Sequence, residues 1–293
     1  MFFQQVVNGL TLGSAYAVIA IGYTLVFGVL NIVNMAHGGI FMIGAYIGLL
    51  LVTEAGLPIF PALAGAMIGG GILGYGLEIF ALRPLRKHKA AHLAPLISTI
   101  GVSTFLESAA LLIWSPQTRS FPIGFGGGML DMGAFKISGI QIISLGTAVA
   151  LMVMLTLLLS RSKIGKALRA TSESAETAGL LGINTGKIIT FTVMLASALG
   201  AAAGVLIGLS FNAIEPTMGT AMGLKGLAVL IMGGLGNVEG AMAGGFILGM
   251  AEVFAVAYGS STYRDAVAFG IIILILFIRP EGLFAKAGKG GRP

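Results

Sequence analysis

Few residues in this chain have the type and spacing for bond chemistry. His88 and His92 stand at i and i+4, a spacing that can hold zinc on a helix. No Cys or carboxylate adjoins them, and both sit in the basic stretch RPLRKHKAAH at 83–92. A solvated turn is the plainer reading. INTGKI at 183–188 has the ending of a phosphate-binding loop, but Leu181 stands where that loop needs Gly, and Ile188 follows Lys187 where it needs Ser or Thr. GLGNVEG at 234–240 misses the dinucleotide fingerprint by one position and follows no strand. With 3 His residues in all and two of them in the basic stretch, no Ser-His-Asp set can be assembled. Cys is absent, which removes thiolate metal sites and disulfides together. The residues therefore give no catalytic group, no metal site and no ATP cradle belonging to this chain.

The remaining candidates are polar groups inside apolar runs. Glu107 and Glu252 each fall deep in such a run. A carboxylate in hydrocarbon costs several kcal/mol unless paired or wetted, so it defaults to a functional reading. The competing reading is a protonated glutamic acid hydrogen-bonded to a neighbouring helix. Glu239 lies in a Gly-rich turn and suits either a pathway mouth or a plain exposed turn. His37, with Asn34 in the same NMAHGG stretch, could line a pathway, although a hydrogen-bonded turn residue is the simpler account. Gly233, Gly234, Gly236 and Gly240 can break a helix so that backbone faces a cavity or a partner, or can serve close packing alone.

The elements that must hold these groups follow from composition. Of 293 residues 56% are hydrophobic and only 10% are charged, too few to cover a water-soluble surface. Residues 1–53, 137–160 and 188–214 carry no Asp, Glu, Lys or Arg. A helix needs about 20 apolar residues to cross a bilayer. Runs of that kind fall at 5–31, 36–53, 58–82, 93–114, 139–160 and 188–210, and shorter ones at 224–236, 241–258 and 265–279. The fold class is all-α, a polytopic transmembrane helical bundle of eight or nine spans in one domain over 1–293. The short, Gly-interrupted runs are expected to be broken or re-entrant pieces. The 46 glycines suit close helix approach in lipid better than they suit loops.

Most of the 17 basic residues lie in three segments, 83–92, 161–187 and the tail from 279, which are therefore expected on the cytoplasmic side. The same rule accounts for the net charge of +6 without nucleic acid. If the N-terminus lies outside, 5–82 crosses three times. MFFQQVVNGL shows no basic region and no small-residue cleavage site and reads as the start of the mature protein.

One cytoplasmic stretch, LRATSESAETAGLLGINTGK at 168–187, is polar between two apolar runs. Ser172 or Ser174 can cap a helix there. Glu173 and Glu176 would then occupy its first turn, where the dipole favours anions. Gly182 can end it in the left-handed conformation. Ala175, Ala178 and Gly179 make one small-residue face suited to docking. The expectation is a short helix at about 173–181. A polar connection lying on the membrane remains the alternative.

ALRATSESAETAGLLGIN (167–184) resembles the coupling segment of ABC-transporter permeases, in the version found in branched-chain amino acid permeases. NGLTLGSAYAVIAIGYTLVFGVLNIVNMAHGGIFMIGAY (8–46) is similar to that family's first two helices and its Asn-x-Ala-His-Gly turn, here Asn34, Ala36, His37 and Gly38. GGLGNVEGAMAGG (233–245) resembles its late Gly-rich segment, and RPEGLF (279–284) its C-terminal signature. The smaller, H-type subunit is the nearer match. Two positions depart from the common pattern: Gly39, where an acidic residue is frequent, and Glu281, where Gln is.

The resemblance implies a bacterial inner-membrane, multi-pass subunit of an importer that catalyses no bond chemistry. It implies a second homologous permease, two cytoplasmic ATPases that use ATP and Mg, and a periplasmic or extracytoplasmic substrate-binding protein. Closure of the ATPases would push on 173–181 and rock the membrane helices. A urea or short-amide importer has a similar permease. A stand-alone proton-coupled carrier or channel using Glu107 or Glu252 is the rival of a different class, and it has no need of a docking helix.

Overall fold

The computed structural model describes residues 2–88, 91, 93–122, 128–131 and 136–284. His92, Lys89 and the tail residues Lys286, Lys289 and Arg292 lie outside the described residues, so the His88–His92 pair does too. The chain is a bundle of long apolar helices, with a long connection between residues 114 and 139. They are α1 (Phe2–Leu30), α2 (Ala36–Thr53), α3 (Ile59–Leu77), α4 (Arg83–Lys87), α5 (Ala94–Trp114), α6 (Gly139–Arg161), α7 (Lys163–Glu173), α8 (Ala175–Leu180), α9 (Thr185–Phe211), α10 (Met218–Gly233), α11 (Val238–Tyr258) and α12 (Arg264–Ile278). A π-helical turn, Glu78–Leu82, joins α3 to α4. The strands among the described residues are a short antiparallel pair, β1 (Met129–Asp131) and β2 (Lys136–Ser138).

Eight helical segments are long and apolar enough to cross a bilayer, and α10 adds a shorter apolar helix of 16 residues. At about 1.5 Å per residue α10 spans roughly 24 Å, less than the ~30 Å of hydrocarbon. It begins at Met218, six residues before the apolar run suggests, and stops at Gly233 because Gly234 takes φ +102°. The described parts of the three basic segments share one end of the bundle with the α10–α11 turn. There the Leu283 N–H donates to the Met232 carbonyl at 2.8 Å, and Asn237 Nδ2 donates to the Phe284 carbonyl at 2.6 Å. By the positive-inside rule this end is cytoplasmic, and the N-terminus of α1 lies at the opposite end.

The core is the contact of α1 with α11 and of α9 with α1, α2 and α3. Helix α1 is enclosed over most of its length, and α9 nearly so, while α5 and α12 present mostly exposed apolar side chains. Glycine makes these contacts. A Cβ on Gly245 would lie 2.5 Å from the Ala17 Cα, and one on Gly70 would lie 2.5 Å from the Ala201 Cβ. A Cβ on Gly204 would run into the Phe41 carbonyl. Lipid tails are as apolar as Leu, so such helices associate by close packing rather than by escape from water. At the outer end Tyr46 of α2 stacks on Trp114 of α5, ring centroids 4.4 Å apart.

Substituting Gly204→Ala or Gly245→Ala should overpack these contacts and cost about 1–3 kcal/mol. Gly76→Ala, where nothing lies within 4 Å, should be neutral. Thermal unfolding of detergent-solubilised protein checks the contrast.

Candidate functional site

The cytoplasmic segment 161–187 forms an elbow. Ser162 accepts from the Gly165 N–H at 2.9 Å and caps α7. Gly165 packs so tightly under the end of α6 that a Cβ would strike the Leu158 and Leu159 carbonyls. Helix α7 turns Leu168 and Thr171 inward, and it was not anticipated as a separate helix. Ser174 then caps α8 by accepting from the Thr177 N–H at 3.1 Å. The cap is thus Ser174 and not Ser172, whose hydroxyl donates back to the Arg169 carbonyl at 2.8 Å. Glu173 is the last residue of α7, not part of the first turn of α8, because Ser174 breaks the backbone into the extended conformation between the two helices. Glu176 does occupy that first turn, and Gly182 follows at φ +84°.

Helix α8 therefore covers 175–180 rather than 173–181. Its small residues do not share one surface. Ala178 is 2% exposed and anchors the helix, while Ala175 and Gly179 are exposed, with open space around Gly179. Leu180 and Leu181 project beside them at 85% and 76% exposure. Two leucines at a cytoplasmic tip, on a helix held through α7 and α9, form an apolar knob with a rigid mount.

Inside the bundle the polar groups are treated in three ways. Glu252 of α11 is fully buried and paired. Tyr16 of α1 donates its hydroxyl to Glu252 Oε2 at 2.5 Å, Lys225 of α10 donates to Glu252 Oε1, and Lys225 also reaches Asp265 Oδ1 of α12 at 2.8 Å. One charge cluster thus joins α1, α10, α11 and α12. Lys225, one residue into the apolar run 224–236, escaped the sequence reading. The signal was a lone cation in a run that could not be left unpaired in lipid. Glu78 of the π turn was missed likewise. It is buried and accepts from Arg86 Nη2 at 2.5 Å, tying α3 to the cytoplasmic turn.

Asn34 and His37 are sealed inside. Asn34 Oδ1 accepts from the Ala36 N–H at 3.1 Å at the start of α2. His37 is fully buried between Gly22 and Gly200, where a Cβ on either glycine would meet the ring at 2.5 and 2.8 Å, and its edge faces Tyr23 at a centroid distance of 4.5 Å. Neither ring nitrogen has a partner in good hydrogen-bond geometry. Neither Asn34 nor His37 lines a cavity described here.

Gly234 and Gly236 lie at the cytoplasmic turn. A Cβ on Gly282 of the C-terminal segment would sit 2.7 Å from the Gly234 Cα, and Gly28 of α1 approaches Gly236. Asn237 caps α11 by accepting from the Gly240 N–H at 3.1 Å, and Glu239 is exposed in its first turn.

Glu107 is different. It is half-buried on α5, accepts from the Thr220 hydroxyl at 2.9 Å, and has no cationic partner among the described residues. It lines a cleft of about 180 Å³ with Tyr23, Met35, Ser103, Thr220 and Leu224. A larger cavity of about 910 Å³ opens at the outer end, between the first turns of α1, β2, the ends of α9 and α11, and Arg264. Amides dominate its polar lining: Gln141 Nε2 donates to Asn8 Oδ1 at 2.7 Å, and Asn8 Nδ2 donates to Gln5 Oε1 at 3.2 Å. These amides were not singled out from the sequence, since lone Asn and Gln residues at a helix end carry no spacing signal.

Fold and sites together define a multi-pass, all-α membrane protein with an exposed cytoplasmic helix and partly open polar clefts. The chain matches, over residues 5–276, the family described as branched-chain amino acid transport system / permease component. It belongs to that family. It is 40% identical to the high-affinity branched-chain amino acid transport system permease protein BraD of Pseudomonas aeruginosa, over 97% of this chain and 96% of BraD. It is 37% identical to the permease protein LivH of Escherichia coli K12 over the same shares of the two chains. Among solved structures, PsaBC from Streptococcus pneumoniae in complex with Fab superposes with a TM-score of 0.51, covering 94% of this chain and 91% of that one at 13% identity, a likeness of fold alone.

Removing one member of the buried charge cluster should be worse than removing both. Glu252→Ala leaves the buried Lys225 only the exposed Asp265 as an anionic partner and should cost up to about 3–5 kcal/mol, whereas Lys225→Met with Glu252→Met should recover much of that loss. Thermal melts of the single and double variants test the coupling.

Proposed function

We propose that this chain is one membrane-spanning subunit of an ABC importer for branched-chain, aliphatic amino acids in a bacterial inner membrane. The observation that carries the reading is the exposed knob of α8, Leu180 and Leu181, on a chain of the branched-chain amino acid permease family. A second, homologous permease completes the membrane part. Two cytoplasmic ATPases, with ATP and Mg held on those subunits and none on this one, seat on α8. A periplasmic or extracytoplasmic binding protein delivers the solute at the outer end.

The coupling physics follows from the mount. Ala178 and the caps of α7 and α8 fix the knob to α9, and α9 packs on α1, α2 and α3. Displacement at Leu180 then moves the bundle core instead of bending a loop. Ser172, Glu173, Ala175, Glu176, Gly179 and Gly182 shape the contact: Glu176 supplies charge, Ala175 and Gly179 permit close backbone approach, and Gly182 ends the helix sharply. Asn34 and His37 brace the helices beside the route, Gly234, Gly236 and Glu239 stand at its cytoplasmic mouth, and Glu252 sets the position of α10 and α11.

Placing a charge on the knob tests the reading. Leu180→Glu, or reversal at Glu176→Lys, should abolish co-purification of the ATPases and ATP-dependent leucine uptake in proteoliposomes, with the fold preserved by thermal melt. Uphill leucine uptake by this chain alone under an imposed proton gradient would establish a secondary carrier instead.

A further inference from the structure

Glu107 poses a problem that the other buried charges do not. Glu78 and Glu252 each have a cation within ion-pair distance. Glu107 lies 13 residues into the 21-residue helix α5, and its hydrogen-bond partner is the Thr220 hydroxyl. Helix α5 otherwise presents bulky apolar side chains outward, Phe105 at 69% and Leu112 at 87% exposure among them. Beside Glu107, however, Ser103 and Thr104 line the cleft, with Thr104 and Thr220 exposed. A half-open carboxyl group with exposed Thr104 and Thr220 beside it is costly to leave against hydrocarbon. This part of the bundle surface is therefore not a lipid surface.

The cleft also has the form of a small amphipathic site. Glu107, Thr220, Ser103 and Thr104 form its polar side, and Ile100 and Leu224, each 46% exposed, form an apolar side. Its floor is backbone, because Gly219 packs against Gly38: a Cβ on Gly219 would lie 2.6 Å from the Gly38 carbonyl. The space of about 180 Å³ is that of one small solute and too small for a peptide, and its apolar side, Ile100 and Leu224, suits an aliphatic group rather than a ring of hydroxyls.

We infer that the cleft between α5 and α10 is a solute subsite, in which the Glu107 carboxylate accepts hydrogen bonds from the primary ammonium of an aliphatic amino acid while Ile100 and Leu224 hold its side chain. Thr220 positions the carboxylate from the opposite helix. The inference rests on the importer reading above and extends it from a coupling surface to a contact with the transported molecule. One carboxylate that keeps its threonine hydroxyl and exchanges water for an ammonium binds weakly enough to release it, which a translocation step requires.

The test uses the complete importer, with both permeases, the ATPases and leucine-loaded binding protein, in proteoliposomes. Glu107→Gln keeps an acceptor for Thr220 and removes the charge. It should lower the initial rate of leucine uptake about 10–100-fold, the size expected for losing a hydrogen bond to a charged group. Subunit co-purification, melting temperature and binding-protein-stimulated ATP hydrolysis should stay at wild-type levels, so that leucine moved per ATP falls. Glu107→Asp should recover part of the uptake. Uptake by Glu107→Gln equal to wild type overturns the subsite. So does loss of co-purification or melting temperature along with uptake, which would make Glu107 an anchor for α10 or for a cation of the second permease. A wild-type complex that moves no aliphatic amino acid would instead defeat the importer reading itself.

Discussion

Backbone-to-backbone packing at glycine is the contact on which the rest of this bundle depends. A bilayer offers no hydrophobic reward for bringing two apolar helices together, so attraction has to come from atoms at van der Waals distance. Gly245 against Ala17, Gly204 against Phe41 and Gly70 against Ala201 bring α1, α2, α3, α9 and α11 that close. Side chains at these points would hold the helices apart and open voids that nothing could fill. The enclosed α1 and α9 form the stem, and every polar group discussed above is placed by its distance from that stem.

Charge is then distributed by how far it stands from the stem and from water. Where four helices meet, Lys225 and Glu252 neutralise each other, with Tyr16 and Asp265 completing the set. Such a pair adds little net stability over a well-packed apolar equivalent. Its effect is to fix how α10, a helix too short to span by itself, sits between α1, α11 and α12. Glu78 and Arg86 do the same where α3 leaves the membrane, across the π turn Glu78–Leu82 that joins α3 to α4. Glu107 has a hydroxyl in place of a cation and faces a cleft.

The cytoplasmic elbow links this interior to the outside of the membrane. Two short helices at an angle, each with its own serine cap, resist bending better than one polar strand of equal length. Ala178 seats the second helix, and the exposed leucines stand clear of the bundle. Rigid mounting and an apolar tip suit the lever proposed above, because a flexible loop would have to give up conformational entropy before it could pass a displacement on to α9.

Most of the architecture could be read in the amino acids themselves. The all-α class, the long spans to within a few residues, the shared side of the basic segments and the left-handed turn at Gly182 all follow from hydropathy, charge and the one residue type without a Cβ. These are one-dimensional properties, set by what a residue can tolerate in lipid or in a turn. The tertiary structure decided the rest: that Glu252 is paired and Glu107 is not, that Lys225 belongs inside, that His37 is sealed between Gly22 and Gly200, and that Ser174 caps where Ser172 does not. The cap is settled within a few residues by the local backbone, but the others depend on what a distant helix brings into contact, within about 3 Å for a hydrogen bond. A linear pattern carries no information on that distance, since partners such as Tyr16 and Glu252 stand 236 residues apart in the chain.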